Sequence, residues 1–138
     1  MLFPHDTKVD ALARAPLFSA LSKQELGELA KATEDLEVEE GKVLTREGDL
    51  GREFFVIVEG DVSVTQDGNE IRQLGPGDFF GEIALIYENA RRTATVTATS
   101  PVHALVITDR DFRRLLKEQP GIQSKVLAAV AARLQDDV

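Results

Sequence analysis

The sequence contains no cysteine, and that absence alone excludes three kinds of chemistry. A disulfide framework, a thiolate metal site and a cysteine nucleophile all require the thiol side chain. The chain also lacks any apolar run near the roughly 20 residues that span a bilayer. Its opening letters, MLFPHD, show no basic region followed by an apolar run, so no signal peptide is readable. We therefore expect a cytoplasmic protein without a membrane segment.

The sequence also has fewer basic than acidic residues. Lysine and arginine number 16 against 24 aspartates and glutamates, which gives a formal net charge of −8. Nucleic acids and anionic membranes attract proteins through clustered positive charge, so we expect neither as a partner. A small anion would need local groups, such as an arginine beside free backbone N–H donors, to overcome the global charge.

Length and composition predict one globular domain over residues 1–138. With 43% hydrophobic residues, the chain is too apolar for intrinsic disorder. Its hydrophobic pattern divides it into an N-terminal helical segment over residues 1–33, a β-rich middle over 34–107 and a C-terminal helical segment over 108–136.

The two helical zones carry recognisable start signals. Ser22 and Glu25 have the spacing of a capping box, and Thr108 and Asp111 repeat that spacing at the start of the C-terminal helical segment. Gln119-Pro120-Gly121 separates two closing helices. The apolar residues at helical spacing are Val9, Leu12, Ala13, Leu26, Leu29, Ala30, Phe112, Leu115, Leu116, Ile122, Val126, Leu127, Val130 and Leu134.

The β-rich middle consists of short apolar or alternating runs separated by glycines. These runs cover residues 36–38, 43–44, 54–58, 62–64, 71–74, 93–98 and 102–107. Asp67-Gly68 stands between two of them like a hairpin turn. Many short strands joined by glycine turns favour a sandwich, a barrel or a jelly roll, so we predict a mainly β fold with flanking helices.

The segment from Phe80 to Val96 contains groups that suit a cyclic phosphate sugar. Gly81 permits close approach of the backbone to a ligand, and a short helix opening at residue 82 would direct unpaired N–H groups at an anion. Glu82 can accept a hydrogen bond from a ribose hydroxyl, and Arg92 can pair with a phosphate. Each residue alone is uninformative, since Glu82 is one acid among 24. The inference depends on their joint order: Gly-Glu, apolar residues, a short loop, then Arg-Thr-Ala.

This order resembles the phosphate-binding cassette of the cyclic nucleotide-binding domain family, known from catabolite activator proteins, kinase regulatory subunits and cyclic-nucleotide-gated channels. The letters FGEIAL from Phe80 match the start of the cassette, and Arg92-Thr93-Ala94 matches its closing arginine. Gly41, Val58-Glu59-Gly60 and the Gly-Pro-Gly-Asp turn at 75–78 also stand at the expected places. The resemblance covers nearly the whole chain. It implies a double-stranded β-helix jelly-roll barrel with N-terminal helices, two C-terminal helices and a cassette over residues 80–93.

The resemblance also implies roles for individual residues. Gly81, Ile83 and Ala84 would donate backbone N–H groups to the phosphate. Glu82 would hold the ribose 2′-hydroxyl, Arg92 the phosphate, and Thr93 would place a hydroxyl near the phosphate and the base edge. Val64 and Ile71 fall where the family lines the base pocket, although ordinary barrel core explains them equally well.

The cassette departs from the family at its closing arginine. Many members have proline ahead of the cassette arginine, whereas this chain has Ala90-Arg91-Arg92. The doubled arginine raises the question of which one points inward. We assign Arg92, because it directly precedes Thr93-Ala94 as the family's arginine does, and we expect Arg91 at the rim or in solvent.

These observations predict a non-catalytic cyclic nucleotide sensor. We favour cAMP as the ligand and leave cGMP open, since the Thr93 hydroxyl can bond a guanine amino group. We expect no catalytic residue, no cofactor and no metal, because His5 and His103 are the only histidines and His103 lies in an apolar strand, which favours a structural role.

The downstream partner is not readable from the sequence. The residues after Pro120 fit a single helix, so we expect no helix-turn-helix reader of DNA in this chain. The ligand would act by moving the C-terminal helices about Pro120-Gly121, on an effector protein or on an effector domain missing from this chain. A homodimer through the last helix is also open. The alternative is an interaction scaffold that has lost nucleotide binding; the presence of both Glu82 and Arg92 counts against it.

Overall fold

The computed structural model describes the backbone of residues 2–136 and the side chains of residues 2–132, so the predicted apolar role of Leu134 lies outside it. The helices are α1 (His5–Ala13), α2 (Lys23–Lys31), α3 (Ile83–Ile86), α4 (Asp109–Glu118) and α5 (Pro120–Asp136), with a 3₁₀ turn at Pro16–Phe18. The strands are β1 (Glu34–Val38), β2 (Val43–Thr45), β3 (Glu53–Glu59), β4 (Val62–Gln66), β5 (Asn69–Leu74), β6 (Phe79–Phe80), β7 (Thr95–Ala98) and β8 (Val102–Thr108).

Both expected helix caps are present. The Ser22 hydroxyl accepts a hydrogen bond from the Glu25 N–H at 3.1 Å, and the Glu25 carboxylate accepts one from the Ser22 N–H at 2.8 Å. The Thr108 hydroxyl accepts a bond from the Asp111 N–H at 3.1 Å and starts α4. Each cap satisfies N–H groups that a helix cannot satisfy internally, and this fixes where α2 and α4 begin.

The strands form two antiparallel four-stranded sheets, in the orders β1-β8-β3-β6 and β2-β7-β4-β5. This mainly β architecture with flanking helices confirms the predicted fold class. The Asp67-Gly68 hairpin is also confirmed, since both residues have positive φ angles of 52° and 82°, as a type I′ turn requires. The two-residue β6 was missed. Three strands begin two residues away from the predicted runs: β1 at Glu34 and β5 at Asn69 begin earlier, and β7 at Thr95 begins later.

The core has two parts. Ile57, Val64 and Val96 belong to a cluster of aliphatic residues from both sheets. A larger cluster joins the sheet that contains β3 to the helices, and fully buried Phe18 and Phe54 belong to it. The N-terminal and C-terminal helices therefore pack together on the outer face of one sheet, and we call them the helical layer.

The last helix, α5, packs against this helical layer. Ile122 and Val126 are 0% and 4% exposed and belong to the larger core cluster. Leu127, which the sequence placed at helical spacing with them, is 58% exposed. Side chains one position apart on a helix do not share a face, and the Ile122–Val126 stripe leaves Leu127 toward solvent. No helix within residues 2–136 is long and apolar enough to cross a membrane.

His103 is buried in β8, as expected for a structural histidine. Its Nε2 lies 3.3 Å from a carboxylate oxygen of Asp35 on β1, and the Lys8 ammonium lies 3.3 Å from the other oxygen of that carboxylate. The cluster ties α1 to the sheet. Among the described residues, no group of three or more possible ligands could hold a metal ion.

A salt bridge fastens α5 to α2. The Lys125 ammonium lies 2.5 Å from the Glu25 carboxylate, the same group that caps α2. The hydrogen bond from Lys125, followed by that from the Ser22 N–H, lowers the pKa of Glu25. One carboxylate thus serves two helices that are distant in sequence.

Replacing Lys125 by glutamine is expected to lower the thermal midpoint slightly at neutral pH, and this difference is expected to disappear in acid. Because the pKa of Glu25 is lower in the folded chain than in the unfolded chain, its contribution is present above the unfolded value. It is lost as the pH falls through the lowered pKa. Thermal unfolding across an acidic pH series measures the effect. Lys31→Gln is the control, since it removes an exposed pair with Glu28 inside α2 alone. A Lys125→Gln difference that stays constant down to the lowest pH would contradict the assignment.

Candidate functional site

A pocket of about 510 Å³ opens beside α3. The residues that the sequence singled out, by motif or by resemblance, all line it: Val64, Ile71, Gly81, Glu82, Ile83, Ala84, Arg92 and Thr93. They come from β4, β5, the segment around α3 and the segment before β7, so the fold collects into one cavity residues that are well separated in the chain.

Gly81 forms the turn between β6 and α3. Its φ angle is +85°, in the left-handed region that favours glycine. A Cβ atom there would lie 2.6 Å from the Glu53 carbonyl oxygen and 2.8 Å from Nη1 of Arg92. Glycine is therefore required both by the backbone conformation and by the close packing against Arg92.

The short helix α3 presents the polar groups of the cassette. Glu82 is its N-cap residue, 7% exposed, with its side chain among the pocket walls. Ala84 is buried and anchors the helix, whereas Ile83 is 46% exposed. The Ala84 N–H already donates to the Gly81 carbonyl at 3.1 Å, so a bond from it to a ligand would be shared. Ile83 is the first helical residue, and its N–H has no acceptor within the helix.

Arg92 is half-buried and held on several sides. Its Nη2 donates to the Glu53 carbonyl at 2.9 Å, and its guanidinium carbon lies 5.9 Å from the centre of the Phe55 ring. Burial lowers the pKa of Arg92, and the Glu53 carboxylate partly offsets that effect. The ordinary pKa of arginine is so high that the side chain stays charged at neutral pH. The pocket therefore contains a partly desolvated cation, which an anion would stabilise.

The neighbouring arginine is arranged differently. Arg91 is exposed and donates from Nη1 to the Gly48 carbonyl at 3.1 Å, while it also forms part of the pocket wall. This agrees with the rim position expected for it. Thr93 is exposed, and its carbonyl accepts a hydrogen bond from the Gln66 side-chain amide at 3.0 Å.

The two candidate base-pocket residues differ in burial. Val64 is 9% exposed and belongs to the core between the sheets, whereas Ile71 is 56% exposed. Arg72 also lines the pocket, and sequence reasoning missed it. In a regular strand, successive side chains point to opposite faces, so Ile71 and Arg72 should not share a cavity. The pairing of β4 with β5 passes from Val64↔Arg72 to Thr65↔Glu70, and this bulge at Ile71 breaks the alternation.

Gly51 was also missed as a pocket residue. It precedes β3, far from the cassette in sequence, and a glycine between strands normally indicates only a turn. Its N–H donates to the Ala90 carbonyl at 2.8 Å, which holds the loop before β3 against the end of the cassette.

A two-sheet barrel whose pocket combines a buried carboxylate with a partly desolvated arginine defines a binding domain for a small anionic ligand. The family model of the cyclic nucleotide-binding domain matches residues 35–119. The chain therefore belongs to the cyclic nucleotide-binding domain family, as the resemblance predicted.

Two relatives and one solved structure illustrate the similarity. The chain is 38% identical over 120 residues to a cAMP-dependent protein kinase regulatory subunit of Mycosarcoma maydis, covering 80% of this chain and 23% of the relative. It is 35% identical over 114 residues to a cGMP-dependent protein kinase of Eimeria tenella, covering 82% of this chain and 11% of that one. The crystal structure of the N-terminal domain of a transcriptional regulator from Streptomyces coelicolor A3(2) superposes with a TM-score of 0.86 at 33% identity, covering 93% and 94% of the two chains. This chain spans less than a third of the length of the first curated relatives it matches.

Proposed function

We propose that this domain is a non-catalytic sensor that binds cAMP in the pocket beside α3 and transmits the bound state through its C-terminal helices. The observation that carries the proposal is that Glu82 and Arg92 line the same cavity of about 510 Å³. A cyclic nucleotide carries a ribose hydroxyl that needs an acceptor and a phosphate that needs a cation. The two side chains supply these groups in a chain whose net charge of −8 would otherwise repel the ligand.

In this arrangement the phosphate lies between Arg92 and the turn into α3. Arg92 donates charge-assisted hydrogen bonds to it, and the N–H groups of Gly81, Ile83 and Ala84 complete its contacts. The Glu82 carboxylate accepts from the ribose 2′-hydroxyl. Because both side chains are already withdrawn from bulk water, their bonds to the ligand are stronger than those of exposed groups.

The base occupies the apolar end of the pocket, against Val64 and Ile71. Adenine is favoured by the similarity to a cAMP-dependent regulatory subunit, which is 38% identical to this chain against 35% for the cGMP-dependent kinase. Arg72 and Thr93 make cGMP the second candidate. A guanidinium can bridge the guanine O6 and N7 acceptors, and a threonine hydroxyl can accept from the guanine amino group.

The signalling step is a movement of α5. Among side chains up to residue 132, none from α5 lines the pocket, and Ile122 and Val126 are buried against the helical layer. Swinging α5 about Pro120-Gly121 toward the ligand would expose both side chains, at a cost of about 1.5–3 kcal/mol each. The ligand drives this movement only if it binds the moved state that much more tightly. The recipient is an effector protein or another domain of a longer chain, in the cytoplasm.

The proposed function predicts a thermal shift that distinguishes cyclic from open nucleotides. cAMP at about 100 times its dissociation constant is expected to add roughly 2.7 kcal/mol of stability, a rise of several degrees in the midpoint. Separate titrations with cAMP, cGMP and AMP measure it. AMP is the control, because its extra negative charge and open phosphate do not fit a site built for the cyclic ester. A larger rise with cGMP would assign the second candidate, and no rise with millimolar cAMP or cGMP would favour the interaction scaffold.

A further inference from the structure

We infer that Gly51 is a positioning residue for ligand binding, because its missing side chain provides the space through which Arg92 reaches the pocket. A Cβ atom built on Gly51 would lie 2.7 Å from Nε, 2.8 Å from Cζ and 2.9 Å from Cδ of Arg92. Real Cβ atoms essentially never approach other atoms within 3.0 Å. Any side chain at position 51 therefore displaces the arginine or the loop.

The neighbours of Arg92 limit where it could go. On one side its Nη2 is bonded to the Glu53 carbonyl, and on another the guanidinium faces the Phe55 ring. Phe55 is itself stacked on Phe80, with ring centroids 4.6 Å apart and planes 11° from parallel. Two walls of the cradle are therefore a strand carbonyl and a packed aromatic pair, while the approaches at Gly51 and Gly81 depend on absent side chains.

The backbone of Gly51 makes this role separable from turn formation. Its φ angle lies outside the left-handed region, so alanine can adopt the same conformation without strain. Alanine also keeps the N–H that donates to the Ala90 carbonyl. Gly81, the other glycine close to the guanidinium, lacks both advantages: its φ is +85° and a Cβ would also meet the Glu53 carbonyl at 2.6 Å. Gly51→Ala is therefore the substitution that perturbs Arg92 through space alone.

The inference rests on the proposed function, in which Arg92 holds the cyclic phosphate. Displacing the guanidinium from its preorganised position removes part of a charge-assisted interaction without removing the charge. We expect Gly51→Ala to weaken cAMP binding by about tenfold, the lower end of the loss of a hydrogen bond to a charged group. Gly27→Ala in α2 is the matched control, since its Cβ meets only the tip of His5 at 3.3 Å and lies away from the pocket.

The decisive experiment is a double-mutant cycle measured by calorimetric titration with cAMP. Arg92→Ala removes all three atoms that a Cβ at position 51 would meet. Gly51→Ala is therefore expected to cause no further loss of affinity in the Arg92→Ala background. Equal losses in both backgrounds, or no loss in the otherwise unchanged chain, would overturn the inference. Failure of the unchanged chain to bind cAMP or cGMP would instead refute the proposed function.

A ligand-free measurement covers the case in which Gly51→Ala folds poorly. If the alanine destabilises the chain by colliding with Arg92, shortening Arg92 must restore the lost stability. We expect the double variant to unfold at the same temperature as Arg92→Ala alone. A double variant that remains less stable than Arg92→Ala would mean that Gly51 acts on the loop itself, and the inference would fail.

Discussion

Replacing Arg92 by alanine is expected to weaken cAMP binding by about 10- to 150-fold, the equivalent of about 1.5–3 kcal/mol for hydrogen bonds to a charged group. The effect is large because the guanidinium is half-buried and held by the Glu53 carbonyl and the Phe55 ring before any ligand arrives. Little ordering remains to be done on binding, so most of the interaction energy is retained as affinity. Calorimetric titration with cAMP measures the change.

Arg91→Ala is the matched control for this prediction. It removes the same side chain one position earlier, where the guanidinium is exposed and bonded to the Gly48 carbonyl. An exposed cation contributes little through a high-dielectric solvent, so a change of less than about threefold is expected. Similar losses for the two variants would mean that both arginines contact the phosphate. A larger loss for Arg91→Ala would mean that the assignment of the inward arginine is wrong.

Arg92→Lys separates charge from shape at the same position. Lysine keeps the positive charge but loses the planar fork that donates in two directions. We expect its affinity for cAMP to lie between those of the unchanged chain and Arg92→Ala. Affinity equal to that of the unchanged chain would show that the phosphate site needs only a point charge.

Much of the candidate site could be predicted from the sequence, because it is concentrated in one continuous segment. Gly81, Glu82 and Arg92 are residue types with distinct chemistry, and their order within residues 80–93 is distinctive even though each alone is common. The helix caps were readable for the same reason, since a capping box is a contact between residues three positions apart. Contacts between residues that are close in sequence do not depend on the tertiary structure, so they can be predicted from the sequence.

The parts that sequence reasoning missed depend on contacts between distant segments. Gly51 gains its role only when the loop before β3 lies against Arg92, and nothing near residue 51 indicates that contact. Arg72 enters the pocket because a bulge at Ile71 breaks the strand alternation, and the bulge is set by the pairing with β4. The two residues of β6 are too few to show any periodicity.

The buried face of α5 was left open by the sequence for a related reason. Its apolar residues surround much of the helix, so the sequence does not specify which face is buried. The choice is made by the helical layer, where Ile122 and Val126 meet the core and Lys125 meets Glu25. A helix that is apolar on several faces can find a second packing arrangement, which is what a movable signalling element requires.

Replacing Phe18 by alanine is expected to destabilise the fold by about 3–5 kcal/mol, the largest stability effect we predict. Phe18 is 0% exposed and lies where the helical layer meets the barrel. Its ring packs edge-on against Phe54 of β3, with the centroids 5.6 Å apart, and lies tilted against Phe112 of α4, with the centroids 6.0 Å apart. Alanine would leave a cavity bordered by rigid elements from three parts of the chain, which cannot all move inward to fill it. Urea unfolding followed by circular dichroism measures the loss.

Leu127→Ala is the matched control for Phe18→Ala. Leu127 is apolar and belongs to α5 of the same helical layer, but it is 58% exposed, so a change within about 0.5 kcal/mol is expected.

The chain has one tyrosine, Tyr87, directly after α3, and its fluorescence gives a second probe near the pocket. For Phe18→Ala we expect both probes to report one shared transition, because Phe18 contacts the barrel and the helices together. If the helical signal were lost first and the tyrosine signal persisted, the two layers would unfold separately. The helices would then be able to leave the barrel without unfolding it, and the cooperative fold argued from Phe18 would be wrong.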